Sequence, residues 1–214
     1  MIKDVIEAAL RSGEDVDLAG CVYGKNGVLP SYYRFLAGLC RDQEVERILE
    51  VGTFMGGSSL AMYKGASSNA AKRVKIVTVD LEARNVDQIK DIPAIDRVIG
   101  DPLALPVLRR ILDKFEHRPI DVLFLDSTKV GRIVMSQFST ISMVLRPKFV
   151  IMDDITLNPS MSMMWGNLVS IFGGKAINFS EEFPEIRKQG EINPNVKVHP
   201  GFGFIDARDL WRSR

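Results

Sequence analysis

Ile2, Val5, Ile6 and Leu10 recur at helical spacing, which predicts a short amphipathic helix over residues 2–11. Gly13, Gly20, Gly24, Gly27 and Pro30 then mark a loop over 12–30. Ser31 stands as the cap of a second helix reaching about Cys40, with Tyr32, Phe35, Leu36 and Leu39 on one face. From residue 47 the pattern changes to short apolar runs separated by helical stretches. The runs are Arg47–Val51, Val74–Val79, Arg97–Ile99, Val122–Leu125, Phe149–Met152, Ala176–Phe179 and Phe202–Ile205. Those at 122–125 and 149–152 are apolar without alternation, as strands covered on both faces must be. Helices over about 57–68, 85–92, 102–116, 130–145 and 160–172 fit between the runs. The pattern predicts an α/β fold in one domain over 1–214, with a mostly parallel sheet and a helical extension over 1–45.

Composition narrows the function classes without choosing one. At 214 residues, 46% hydrophobic and 26% charged, the chain is neither disordered nor fibrous. Its 28 basic and 27 acidic residues give a formal charge of +1, which supplies no drive toward nucleic acid. Cys21 and Cys40 are too few for a disulfide framework or a zinc site and read as reduced thiols. Acids interrupt the first residues, Met1-Ile2-Lys3-Asp4-Val5-Ile6-Glu7, where a signal peptide would be apolar. No apolar run approaches the roughly 18 residues of a membrane span, so the expectation is a cytoplasmic protein with no membrane partner.

Candidate chemistry lies at the carboxyl ends of the strands, where open parallel sheets bind ligands. Each of the first five runs ends on acids: Glu50, Asp80, Asp101, Asp126, and the pair Asp153-Asp154. Any one alone is as readily a helix cap. Together they are a concentration of negative charge that calls for cationic ligands. The first strand runs into Glu50-Val51-Gly52-Thr53-Phe54-Met55-Gly56-Gly57-Ser58, whose glycines permit a sharp turn before a helix start able to take an anion. Phe54 stands where a dinucleotide-binding turn needs its second glycine, which counts against a nicotinamide dehydrogenase. The pattern suits a smaller anion, such as an amino-acid carboxylate near Ser58, with Asp80 placed for ribose hydroxyls.

Glu50-Val51-Gly52 through Ser58, with Asp80 and Asp101, resembles the successive cofactor motifs of class I S-adenosylmethionine-dependent methyltransferases. The likeness spans about residues 47–156, and Gly201-Phe202-Gly203-Phe204-Ile205 is similar to that fold's last strand. Phe124-Leu125-Asp126-Ser127-Thr128-Lys129 and Met152-Asp153-Asp154 resemble the catechol O-methyltransferase-like subgroup, with cephalosporin-hydroxylase-type methyltransferases nearby. The resemblance implies a Rossmann-like, seven-stranded, mostly parallel sheet with helices on both faces. It also implies S-adenosylmethionine contacts at Glu50, Gly52, Thr53, Phe54, Ser58, Asp80, Asp101 and Asp126. Ser58 would meet the cofactor carboxylate, Asp80 the ribose, and Asp101 the adenine amino group. Asp126, Asp153 and Asp154 would hold magnesium or another divalent cation, a ligand set of hard oxygens. Lys129 would serve as general base.

The implied reaction is O-methylation of a small hydroxylated molecule, of the kind met in secondary metabolism. A metal-independent enzyme with a sugar, peptide or nitrogen acceptor, or a non-catalytic cofactor-binding subunit, are the alternatives. Met161, Met163, Met164, Trp165, Leu168 and Phe172 either pack a helix on the sheet, the better fit to their spacing, or line an acceptor pocket. The polar stretch Ser180–Asn195 has the composition of a loop able to close over substrate, and Tyr23-Gly24-Lys25-Asn26-Gly27 resembles a segment covering the cofactor. His117 and His199 read as surface or strand-end residues. The extension over 1–45 either covers the site or joins copies into a homo-oligomer.

Overall fold

A computed structural model of the chain describes residues 1–23, 29–68, 73–84, 86–183 and 201–211. Its elements follow the order α1 (Ile2–Glu14), α2 (Ser31–Asp42), β1 (Arg47–Val51), α3 (Gly57–Ser67), β2 (Lys75–Asp80), β3 (Ile95–Ile99), α4 (Leu105–Lys114), β4 (Val122–Leu125), α5 (Gly131–Leu145), β5 (Phe149–Asp153), α6 (Pro159–Phe172), β6 (Ala176–Asn178), α7 (Phe179–Glu182) and β7 (Phe202–Asp206). The strands form one sheet in the order β3-β2-β1-β4-β5-β7-β6. Strands β1 to β5 pair in parallel, and β7 runs antiparallel between β5 and β6. This is the mostly parallel seven-stranded architecture that the resemblance implied.

The apolar runs became strands because both faces are covered. One face buries Ile48, Ile76, Phe124 and Ile151 against residues of α1, α2 and α3. The other buries Leu49, Val77, Leu123 and Val150 with residues of α4, α5 and α6. Side chains alternate between faces with period two, so the central strands β4 and β5 are apolar at successive positions. The extension is part of this core: Phe35 of α2 lies 4.4 Å from the Phe179 ring, and Tyr32 lies 4.8 Å from that of Phe202. Met161, Met164, Trp165 and Leu168 are buried on α6, so packing accounts for them, while Met163 is 68% exposed.

Some expectations change. Residues 86–92 form successive turns, with Ile89 N–H donating to Val86 O and Ile92 N–H to Ile89 O, rather than a helix. Pro93 follows directly and disfavours helical backbone at Ile92; Asn85, the expected first residue, lies outside the described residues. Pro30, not Ser31, occupies the cap position of α2. Helix α4 begins at Leu105, later than 102, because the Asp101 carboxylate takes the Leu103 N–H into a turn at 2.9 Å. Ser180 is buried in α7, where it hydrogen bonds to Asn178 and accepts from Phe202 N–H, so the described start of the expected loop is ordered by the sheet. The rest of that loop from 184, His199, and Gly24 to Gly27 lie outside the described residues. Both cysteines are free and buried. His117 is on the surface, 3.1 Å from Asp113. Among the described residues no helix is long and apolar enough to cross a membrane.

Candidate active site

Strand register assembles the site. Val51 pairs with Val79 on one side and Leu125 on the other, and Leu125 pairs with Met152. The next residue of each strand or loop therefore falls in one row: Asp80, Gly52, Asp126 and Asp153. Four segments far apart in sequence meet there at the carboxyl edge of a parallel sheet.

The centre of the row is tight. Gly52 has a φ of +111°, and a Cβ there would lie 1.9 Å from the Asp126 carbonyl oxygen. The glycine serves the approach of the β1 and β4 loops to each other. Phe54 then adopts a left-handed φ of 46°, uncommon for a bulky residue. Its N–H donates to Asp80 Oδ2 at 2.9 Å, Tyr23 packs at 5.3 Å between centroids, and the Arg84 guanidinium lies 5.4 Å over its ring.

A cavity of about 430 Å³ opens beside this turn, lined by Gly52, Phe54, Asp80, Asp101 and Asp126 among others. Asp80 is oriented by the N–H groups of Phe54 and Glu82, the latter at 3.2 Å. Leu81, Glu82, Arg84, Ile133 and Gln137 also line it, and sequence reasoning missed them. The available signal was position: Leu81 and Glu82 directly follow the strand-end Asp80.

Three expected cofactor residues turn elsewhere. Glu50 lies within β1 on the face covered by α3, so alternation carries its side chain under the helix. It is fully buried, accepts from the hydroxyls of Ser58 and Ser59, and accepts from Thr78 at 2.6 Å. Thr53 is buried too and shares a 2.7 Å hydrogen bond with Thr78. The side chains of Glu50, Ser58 and Thr53 thus brace the turn from beneath and do not line the cavity. Burial raises the Glu50 carboxyl to about 7 even though the three hydroxyls pull the other way.

The remaining acids meet at one point. Asp126, Asp153 and Asp154 bring carboxylate oxygens within 4.8 Å of one another. Asp154 holds a left-handed φ of 57°, which turns its carboxylate back toward its neighbours and which Asp tolerates better than most residues. Lys129 Nζ reaches all three, at 2.7 Å from Asp126, 2.7 Å from Asp154 and 3.5 Å from Asp153. Burial, then the neighbouring Asp153 charge, pushes the Asp126 carboxyl well above the usual range, and burial raises Asp153 as well. Burial alone would lower Lys129, but the three carboxylates outweigh it and hold the ammonium above its ordinary value. Burial and then the charges of Asp126 and Asp153 also raise the Tyr23 phenol, which shares the field of the cluster.

Known proteins complete the picture. Residues 49–155 match the family described as a methyltransferase domain. No curated protein sequence matches the chain. Among solved structures, the cofactor-bound protein Rv0187 from MTB is 18% identical with a TM-score of 0.59, over 96% of this chain and 90% of that one. The O-methyltransferase TomG of Streptomyces achromogenes, involved in tomaymycin synthesis and solved with SAM, is 21% identical with a TM-score of 0.55, over 96% and 88%. The O-methyltransferase of Bacillus cereus in complex with SAH is 18% identical with a TM-score of 0.53, over 94% and 89%. These likenesses report the shared fold. With a family match across half its length, the chain belongs to the methyltransferase domain family, and its strand order and the cavity at the strand ends agree with that.

Proposed function

We propose that this chain is an S-adenosylmethionine-dependent O-methyltransferase acting on a small hydroxylated molecule, with a divalent cation at the acid cluster and Lys129 as general base. One observation carries the reading. The cavity bounded by Asp80 and Asp101 also reaches Asp126, which belongs to the carboxylate–lysine cluster. A ligand filling it from the first pair of acids therefore ends beside the second group.

The residues fit that cofactor. Asp80 retains acceptor capacity on both oxygens for ribose hydroxyls, because each takes a single backbone N–H. Asp101 is exposed at the cavity wall, able to accept from an adenine amino group. Phe54 and the Gly52 backbone form the wall between Asp80 and Asp126, braced from below by Glu50, Ser58 and Thr53. Bound there, S-adenosylmethionine would supply a methyl group made electrophilic by a sulfonium.

The acid cluster fits a hard cation such as magnesium by donor type, three carboxylates from two adjacent strand ends. Such an ion would supply positive charge to acceptor oxygens and favour their ionised form. Lys129 Nζ contacts all three acids of that cluster, so once its own proton has passed to solvent it is placed to take the acceptor proton. Holding the acceptor in line is the main task of the walls, since positioning supplies much of the rate in a displacement.

The test is methyl transfer from labelled S-adenosylmethionine to catechol-type acceptors, run with and without chelator. Wild type should turn over and lose activity in chelator. Asp153→Ala should fall by about a hundredfold or more, as first-contact ligands to a catalytic charge do. Failure of the cofactor to bind in calorimetry would overturn the reading, and full turnover in chelator would remove the cation from it.

A further inference from the structure

Lys129 has a place in the cluster that a base alone does not require. Its ammonium sits at the common focus of the three carboxylates, 2.7 Å from Asp126 Oδ1, 2.7 Å from Asp154 Oδ2 and 3.5 Å from Asp153 Oδ2. One carboxylate oxygen of each of the same three acids lies within 4.8 Å of the others. A divalent ion bonding one oxygen of each acid at about 2.0–2.5 Å would draw on the same group of carboxylates that Nζ now holds. Two cations crowded among the same three acids repel each other at short range and compete for the same oxygens.

The backbone of this lysine is anchored by hydrogen bonds, while its side chain is held at its tip by the three carboxylates. Asn158 Nδ2 donates to the Lys129 carbonyl at 2.9 Å, and the same side chain caps α6 by accepting the Met161 N–H at 3.0 Å. Two residues on, Gly131 N–H donates to Ser160 Oγ at 2.9 Å. The loop carrying Lys129 is thereby tied to the start of α6. The side chain is 27% exposed and needs only rotations of its four-carbon stem to leave the cluster.

We propose that Lys129 is the resident cation of the acid cluster and exchanges with a divalent ion, so that loading the ion releases the Lys129 side chain toward the acceptor, its ammonium proton passing to solvent. The proposal rests on the cation-assisted reading above and deepens it: the ion and the base are coupled by competition for the same three acids. The lysine keeps the three acids compensated while the site is unloaded, and it becomes available only when the site is loaded.

Two measurements on the full chain, neither of them an activity assay, decide it. In calorimetric titration with Mn²⁺, Lys129→Met should bind the ion about tenfold or more tightly than wild type, because a competing unit charge has been removed. Lys129→Arg keeps the charge and should show no such gain. In wild type, saturating Mn²⁺ should raise acylation of Lys129 by an amine-reactive ester several-fold, read by peptide mass spectrometry. Lys90, 57% exposed and far from the cluster in sequence, serves as the unchanged control. Equal or weaker Mn²⁺ binding by Lys129→Met, a matching gain in Lys129→Arg, no binding by any of the three, or acylation that stays flat or falls each overturns the exchange. If Lys129→Met does not fold, the labelling of wild type decides alone. Methyl transfer measured on the same wild-type preparation keeps the two readings apart: transfer without exchange sinks only the exchange, and absence of transfer sinks the function beneath it.

Discussion

Glu50 shows how a residue can belong to a site's motif without facing the site. It is a fully buried carboxylate surrounded by the hydroxyls of Ser58, Ser59 and Thr78, and burial raises it from 4.5 to about 7. A carboxyl whose folded value is raised binds its proton more tightly when folded. Its contribution is full below the unfolded value and is lost as pH climbs through about 7. Urea unfolding at pH 5 and pH 8 should therefore show a drop in wild type that is smaller in Glu50→Gln by about 2–3 kcal/mol, one pKa unit being about 1.4 kcal/mol. An equal drop in both proteins would mean that Glu50 does not carry this dependence.

Between elements, the decisive contact is the approach of the loops after β1 and β4. Gly52 makes it possible, since any Cβ would strike the Asp126 carbonyl at 1.9 Å and would sit on a backbone with φ of +111°. Gly52→Ala should lower stability by about 2–4 kcal/mol, combining strain at a glycine-only φ with overpacking. It should also separate Asp80 from Asp126 and weaken cofactor binding. Thermal unfolding and calorimetric titration with S-adenosylmethionine check the two effects, and a fully stable variant would show that the loops can part without loss. The same scale explains the missing helix at 86–92. Gln88 there receives the Val22 N–H and donates to Val22 O and Met55 O, tying the segment to the turn around Phe54 in a way that a straight helix would not.

At the scale of the molecule, α1 and α2 close one face of the sheet. Phe35 is fully buried and packs against Phe179 at 4.4 Å and Phe204 at 6.1 Å, joining the first residues of the chain to its last strand. Phe35→Ala should cost about 3–5 kcal/mol in chemical denaturation, the range for deleting a buried aromatic ring. Because the ring bridges extension and sheet, fluorescence and circular dichroism should report one shared transition. Two separate transitions would show that the extension is an independent unit. Tyr32 ends on the same face beside Phe202, and its buried phenol is raised first by burial and also by Tyr33 and Asp126.

The strands were legible because their chemistry is local. A strand covered on both sides is largely apolar at successive positions, and Val122–Leu125 and Phe149–Met152 announce themselves in this way. The acids at the strand ends were legible for a related reason: a parallel sheet puts its carboxyl ends on one edge, so position in sequence already implies nearness. Which way each acid faces was not. Period two sends Glu50 beneath α3, while the register of β1, β2, β4 and β5 brings Asp80, Asp126 and Asp153 into one row. The meeting of Lys129 with three carboxylates depends on that register, on a left-handed turn at Asp154 and on a carbonyl held by Asn158. Sequence by itself determined the layered sheet and the row of acids, since periodicity and strand direction are properties of the chain. Only the tertiary structure decided which acids share a cation, because direction and distance across strands arise when the sheet closes.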